Sequence, residues 1–220
     1  MKQRDIFLES EGDAWYRRNS GQADARYDPA ADFLISEISA LPRAGEIQQG
    51  GGIRLLEIGC GDGARLEWLQ DSFGFNCSGL EPSEQAVEVA RERGVDAHRG
   101  TAEDLPFGAD SFDIVVFGFC LYLCDHEDLF RIASEADRVL KNPGWLLILD
   151  FYSRAISRRT YHHRPGLYSH KMDYSEMFAW HPAYTVFSHR VLRHGRGGYT
   201  DDQDEWVAVS VLRKNLAGAD

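Results

Sequence analysis

Leu55-Leu56-Glu57-Ile58-Gly59-Cys60-Gly61-Asp62-Gly63 is the stretch from which the rest of this 220-residue chain is read. The apolar run from Ile53 to Ile58 predicts a short buried strand, and it ends in glycines at 59, 61 and 63. Ala64-Arg65-Leu66-Glu67-Trp68-Leu69-Gln70 then predicts a helix, with Leu66 and Leu69–Gln70 at helical spacing. Strand, glycine turn and helix together open a βα unit of the kind that binds nucleotides. Glycine allows positive φ and a close backbone approach to a ligand. The helix start behind it offers unpaired N–H groups.

Two ligand classes fit that turn. As G-x-G-x-x-A, from Gly59 and Gly61 to Ala64, it meets the dinucleotide pattern. As acid-x-G-x-G-x-G, led by Glu57, it resembles the first motif of class I S-adenosylmethionine (SAM) methyltransferases. The acid decides between them. A carboxylate at the strand end would repel a pyrophosphate, but not a ligand carrying an ammonium and a sulfonium. A glycine-rich turn that holds no ligand is the third reading.

Composition narrows the field. The length suits one α/β domain. Lys and Arg total 24 against 35 Asp and Glu, a net charge of −11, which disfavours nucleic acid and anionic membrane as partners. Cysteines stand at 60, 77, 120 and 124 without a C-x-x-C pair, and read as reduced thiols of a cytoplasmic protein. No apolar run suggests a signal peptide or approaches a membrane span.

Along the chain, 1–28 is polar yet carries Trp15-Tyr16-Arg17-Arg18. Asp32 to Leu41 predicts a helix, and Pro42 to Gly52 a loop. A second strand is expected at Asn76 to Leu80, with Glu81 at its end, 22 residues after Gly59. A doubly wound fold places an acid near that spacing, where one carboxylate accepts from two ribose hydroxyls. Ser83 is the candidate N-cap of the next helix. Val95–Gly100 predicts a third strand, Ser111–Leu123 the fourth with its exit, His126 to Lys141 a helix stopped by Asn142-Pro143-Gly144, and Trp145–Phe151 the fifth strand. Tyr184–Leu192 and Glu205–Lys214 predict two more strands.

The resemblance to class I methyltransferases rests on motifs from Leu55 to Phe151 and on topology elsewhere. It implies an α/β fold: a doubly wound, mostly parallel seven-stranded sheet, helices on both faces, and a C-terminal antiparallel hairpin. It implies a single domain, with 1–28 as an N-terminal lid and 152–183 as a substrate-reading insertion. Thr101-Ala102-Glu103-Asp104-Leu105-Pro106-Phe107 resembles the adenine-contacting segment of that family, although Thr101 stands where the family usually has Asp or Asn. By the same resemblance, the cofactor is held by Glu57, Gly59, Cys60, Gly61, Glu81, Pro82, Thr101, Ala102, Glu103 and Phe117, and by Trp15 and Arg18 from the lid. Aromatic faces near a sulfonium are physically sensible.

From Phe151 to Met172 there is no acid, a local inversion in an acidic chain. Arg154, Arg158 and Arg159, with Tyr16, are therefore the expected substrate contacts, for a small anionic acceptor. The alternative is a solvated basic loop. His162 and His163 are the candidate general bases of an O-methyl transfer, and no metal site is expected. A faint likeness to sugar-modifying methyltransferases suggests a sugar or sugar nucleotide acceptor. A non-catalytic SAM-binding partner protein and an NAD-dependent reductase are the rival readings.

Overall fold

The computed structural model describes residues 2–20, 27–41, 52–195 and 198–216. Most of the expected 42–52 loop and part of the expected lid lie outside them.

Seven strands form one sheet: β1 (Arg54–Ile58), β2 (Asn76–Glu81), β3 (Asp96–Arg99), β4 (Phe112–Gly118), β5 (Leu140–Phe151), β8 (Tyr184–Arg193) and β9 (Trp206–Lys214). Their order is β3-β2-β1-β4-β5-β9-β8. The first five run parallel. β9 pairs antiparallel with β5, and β8 antiparallel with β9. The sheet is thus the doubly wound one expected, closed by the hairpin.

Strand parity sorts the core into two layers. Leu55, Ile114 and Val116 pack with α3 (Phe33–Ala40), α4 (Ala64–Phe73) and α5 (Glu84–Glu92), through residues such as Leu34, Leu66 and Val87. Leu56, Val115 and Phe117 face the other way, onto α6 (Leu129–Val139) and α7 (Glu176–Ala179). Burial on both faces is why these strands read as continuous apolar runs.

Helix starts follow local chemistry. Asp32 caps α3 by accepting from Leu34 N at 2.9 Å, and the Ser83 hydroxyl accepts from Ala86 N at 3.1 Å to cap α5. α6 is shorter than the expected His126–Lys141. A 3-10 turn occupies His126–Asp128, and the chain enters β5 directly at Leu140, ahead of Asn142-Pro143-Gly144.

The N-terminal segment is helical: α1 (Gln3–Ile6), a π-turn (Phe7–Glu11) and α2 (Gly12–Asn19). It crosses the carboxyl ends of the strands and is tied at both ends. Lys2 Nζ reaches Asp128 at 2.5 and 2.7 Å, and Gln3 Nε2 donates to the Leu123 carbonyl at 2.9 Å. Asp13 accepts from the Ser83 hydroxyl at 2.7 Å and from Gln85 N at 3.2 Å. The 152–183 region contains α7 and a small hairpin, β6 (Ser157–Thr160) with β7 (Tyr168–Lys171), that sequence patterning does not announce. Among the described residues no helix is long and apolar enough to cross a membrane.

Candidate active site

A cleft open at its mouth lies at the carboxyl ends of β1, β2 and β4. Its floor is the glycine turn, where Gly59, Gly61 and Gly63 all have positive φ. Gly61 N donates to one oxygen of Glu81 at 3.2 Å, and Ser83 N to the other at 3.0 Å. The carboxylate is thus clamped at the end of β2, facing the turn, and each oxygen keeps acceptor capacity for a ligand hydroxyl. Burial pushes its pKa up to about 7, against those two N–H groups.

One end of the cleft, past β3, is walled by Gly100, Thr101, Ala102 and Glu103, and Leu123 and Cys124 also line it. The other is walled by Gly118, Phe119 and Cys120. Arg4, Phe7, Gly12 and Trp15 of the N-terminal helix form the roof. Trp15 Nε1 donates to the Tyr122 hydroxyl at 3.2 Å, which fixes the indole over the cleft.

The expected cofactor residues divide. Gly59, Gly61, Glu81, Pro82, Thr101, Ala102, Glu103 and Trp15 all line this one cleft. Glu57 lies just beneath it, 1% exposed. A Cβ built at the lining residue Gly118 would stand 2.4 Å from Glu57 Oε1. Cys60 does not line the cleft: its backbone N–H is spent on the Leu80 carbonyl, and its Sγ packs against Gly79. Phe117 is also corrected. Strand parity sends it, fully buried, onto α7, where its ring is 6.4 Å from Phe178. Phe119 takes the cleft-lining place, just past the strand and at φ 54°. A non-glycine residue there, an aromatic above all, signals strain, which concentrates at functional sites. Arg18 turns away to Glu11 at 2.5 Å and the Tyr161 hydroxyl at 2.9 Å.

The expected substrate and catalytic residues do not gather at the cleft. Arg154 stacks on Trp206 at 5.9 Å, Arg158 on Tyr168 at 3.5 Å, and Arg159 pairs with Asp204 at 2.5 Å. Tyr16 sits near Asp62 and Arg93, outside the lining set. His162 and His163 lie exposed on the turn of the β6–β7 hairpin, their rings 3.8 Å apart. The hairpin takes up the basic run and turns it outward. Among the described residues no three His, Cys, Asp or Glu side chains converge as a metal site.

Several lining residues escape sequence reasoning. Arg4 and Phe7 arrive from the N-terminal segment, more than fifty residues before the glycine turn. Cys120 and Cys124 flank a 3-10 turn, Leu121–Leu123, that no periodicity marks. An aromatic group continues from the Phe119 wall: Phe119–Phe151 at 5.5 Å, Tyr122–Phe151 at 5.0 Å and Phe119–His194 at 5.5 Å between ring centroids. Burial holds the His194 pKa below its ordinary value, so the imidazole is neutral at pH 7.

The residues present suit SAM better than a dinucleotide. Glu81 offers a ribose acceptor at the turn. Arg4 is the one basic side chain lining the cleft among the described residues, and it sits 3.5 Å from Glu103, leaving no cation set for a pyrophosphate.

Residues 56–148 match the family model described as a methyltransferase domain. An uncharacterized methyltransferase of Bacillus subtilis, YcgJ, is 38% identical over 112 residues, 46% of this chain and 41% of that protein. A fatty-acid O-methyltransferase of Mycolicibacterium smegmatis is 33% identical over 104 residues, 45% of this chain and 37% of that protein. The chain thus spans about two fifths of the length of the curated relatives it matches. Among solved structures, the 1,6-didemethyltoxoflavin-N1-methyltransferase of Burkholderia thailandensis, with S-adenosylhomocysteine and its acceptor bound, superposes with a TM-score of 0.69. The identity is 15%, over 96% of this chain and 89% of that one.

Proposed function

We propose, on the match of residues 56–148 to the methyltransferase-domain family model, that this chain is a class I SAM-dependent methyltransferase acting on a small molecule. The observation that carries the reading is Glu81, clamped by Gly61 N and Ser83 N so that it faces the glycine turn across the cleft.

SAM supplies a methyl on a positively charged sulfur, a reactive centre that needs no further activation by the protein. The chain's own residues position and desolvate. Glu81 binds ribose hydroxyls, Thr101 to Glu103 wall the base end, and the Phe7–Trp15 roof keeps water out. The acceptor enters from the Phe119 side, where Phe151, Tyr122 and His194 continue the wall.

The acceptor carries an oxygen nucleophile and an anionic group. Its anion meets Lys171, whose Nζ lies 4.8 Å over the Phe151 ring, rather than Arg158 or Arg159. His194, neutral and next to Phe119, takes the nucleophile's proton in place of His162 or His163. An acceptor that is itself a carboxylate needs no base. A fatty-acid O-methyltransferase among the relatives supports an acid-bearing acceptor. The reductase alternative calls for a second parallel βαβ half, whereas the sheet continues past β5 with antiparallel β9 and β8.

The test is S-adenosylhomocysteine release from SAM over a panel of fatty acids, phenols and sugar nucleotides. Turnover with an acidic acceptor, lowered at least about tenfold in His194→Ala only for hydroxyl acceptors, supports the reading. No release with any acceptor, despite SAM binding, turns it to the non-catalytic alternative.

A further inference from the structure

Beneath the cleft lies a buried ionic cluster. Arg65, in the first turn of α4, donates Nε to Asp32 Oδ2 at 2.7 Å and reaches Glu57 Oε1 with its other arm. Tyr27 donates to the same Asp32 oxygen at 2.7 Å. The side chains of Arg65, Asp32 and Glu57 are 19%, 8% and 2% exposed. Two carboxylates therefore share one guanidinium, and as an ionised set the cluster is one positive charge short. The shortfall is local to Glu57, whose Oε2 is buried without a hydrogen-bond partner among the described residues. A buried, unpartnered carboxylate oxygen is costly, and it is relieved by a proton or by a nearby cation.

The cluster sits one atomic layer from the cleft. A Cβ at Gly118 would stand 2.4 Å from Glu57 Oε1 and 3.1 Å from an Arg65 nitrogen. The other titratable groups that face Glu57 are Asp32 and Tyr27 on the α3 side, Glu81 and Cys77 of β2, and Cys60 and Cys120 around the turn. Arg65 is the one cation among them. Among the described residues no second cation completes the charge.

We propose that Glu57 is a proton-linked counter-charge for the cofactor: it holds a proton until a cationic ligand enters the cleft, then releases it, while Arg65 and Asp32 act as positioning residues. The inference rests on the reading that the cleft takes SAM. The step balances simply. The Glu57 O–H bond breaks, its electron pair stays on the carboxylate, the proton goes to the buffer, and the cluster moves from neutral to −1 as a net +1 ligand arrives. Burial, opposed by Arg65, pushes the Glu57 pKa up to about 7, which places the exchange at neutral pH. SAM carries the sulfonium charge and S-adenosylhomocysteine does not, so the product leaves a site whose reason to stay ionised has gone.

The test is calorimetric titration with SAM and with S-adenosylhomocysteine at pH 6.5 to 7, in buffers of different ionisation enthalpy. The expected result is net proton release with SAM, less with S-adenosylhomocysteine, and loss of the difference in Glu57→Gln. The SAM Kd of the wild type should tighten by up to about tenfold per pH unit approaching 7, and flatten above it. Equal proton counts for the two ligands in the wild type overturn the proposal, even if Glu57→Gln fails to fold. So does release that is unchanged in a folded Glu57→Gln. Failure of both ligands to bind overturns the reading of the cleft as well.

Discussion

Phe117 and Phe119 are two residues apart and do opposite work. The first fills the α6–α7 layer; the second walls the cleft. Phe117→Ala should lower stability by about 3–5 kcal/mol, measured by urea unfolding, with the S-adenosylhomocysteine Kd of the folded protein little changed. Phe119→Ala should do the reverse, weakening ligand binding while costing little stability. Equal effects of the two would contradict the parity argument. The pair also marks the limit of sequence reading at this scale. Alternation is legible along β4, but the positive φ that turns Phe119 back over the cleft follows from packing against Phe151 and His194. Arg65 was equally hidden. Its place in a helix was legible, but not that it would reach Glu57 and a second acid from the start of α3. Gly118 gives a sharper case. Gly118→Ala drives a methyl into the Glu57 carboxyl, and should weaken binding at least about tenfold while costing about 1–3 kcal/mol of stability. A wild-type Kd in this variant would mean that Glu57 has room to move and does not shape the cleft.

At the scale of elements, the N-terminal helix shows how one local irregularity makes a site. Phe7 and Gly12 both line the roof, yet in a regular helix residues five apart lie about 140° around the axis. The π-turn from Phe7 to Glu11, with Gly12 N bonded to the Phe7 carbonyl, brings them to one face, and Trp15 follows. Deleting the exposed Glu9 should restore regular winding and turn either Phe7 or Trp15 off the cleft. The expected outcome is ligand dissociation at least about tenfold faster by stopped-flow fluorescence, with helix content by circular dichroism unchanged; an unaltered rate would show that the roof is not set by the turn. The strands, the glycine turn and Glu81 were legible because each depends on local pattern: apolar runs, turn residues, and an acid at a fixed offset. The β6–β7 hairpin was not. Its alternation is blurred by arginines that stack on Tyr168 or pair with Asp204, so a basic run that read as a substrate contact became a solvent-facing ribbon.

For the whole molecule, burial of acids decides the response to pH. Glu57, Glu81 and Asp150 are each pushed by burial up to about 7 in the folded state. A carboxyl whose folded pKa is raised binds protons more readily folded than unfolded. Its ionisation therefore costs stability as pH rises from about 4 to about 7, and the full cost is present above that. Asp13, Asp32 and Glu135 are shifted down and act oppositely, but their contribution is lost only as pH falls through their lowered values. The net charge of −11 adds repulsion in the same direction as the raised group. The melting temperature should thus be higher near pH 6 than near pH 8, by scanning calorimetry, and a flat or rising profile would contradict the burial of these acids as charged groups. SAM, by supplying a cation beside Glu57, should narrow that difference.

All of these effects converge on one cleft. The most direct measurement is a calorimetric titration of S-adenosylhomocysteine into the wild type and into Glu81→Gln, with NADH as control. The wild type should bind in the micromolar range and give no heat with NADH, and a folded Glu81→Gln should lose about 3 kcal/mol, on the order of a hundredfold. Equal affinity in the two proteins, or preference for NADH, would contradict this reading of the cleft.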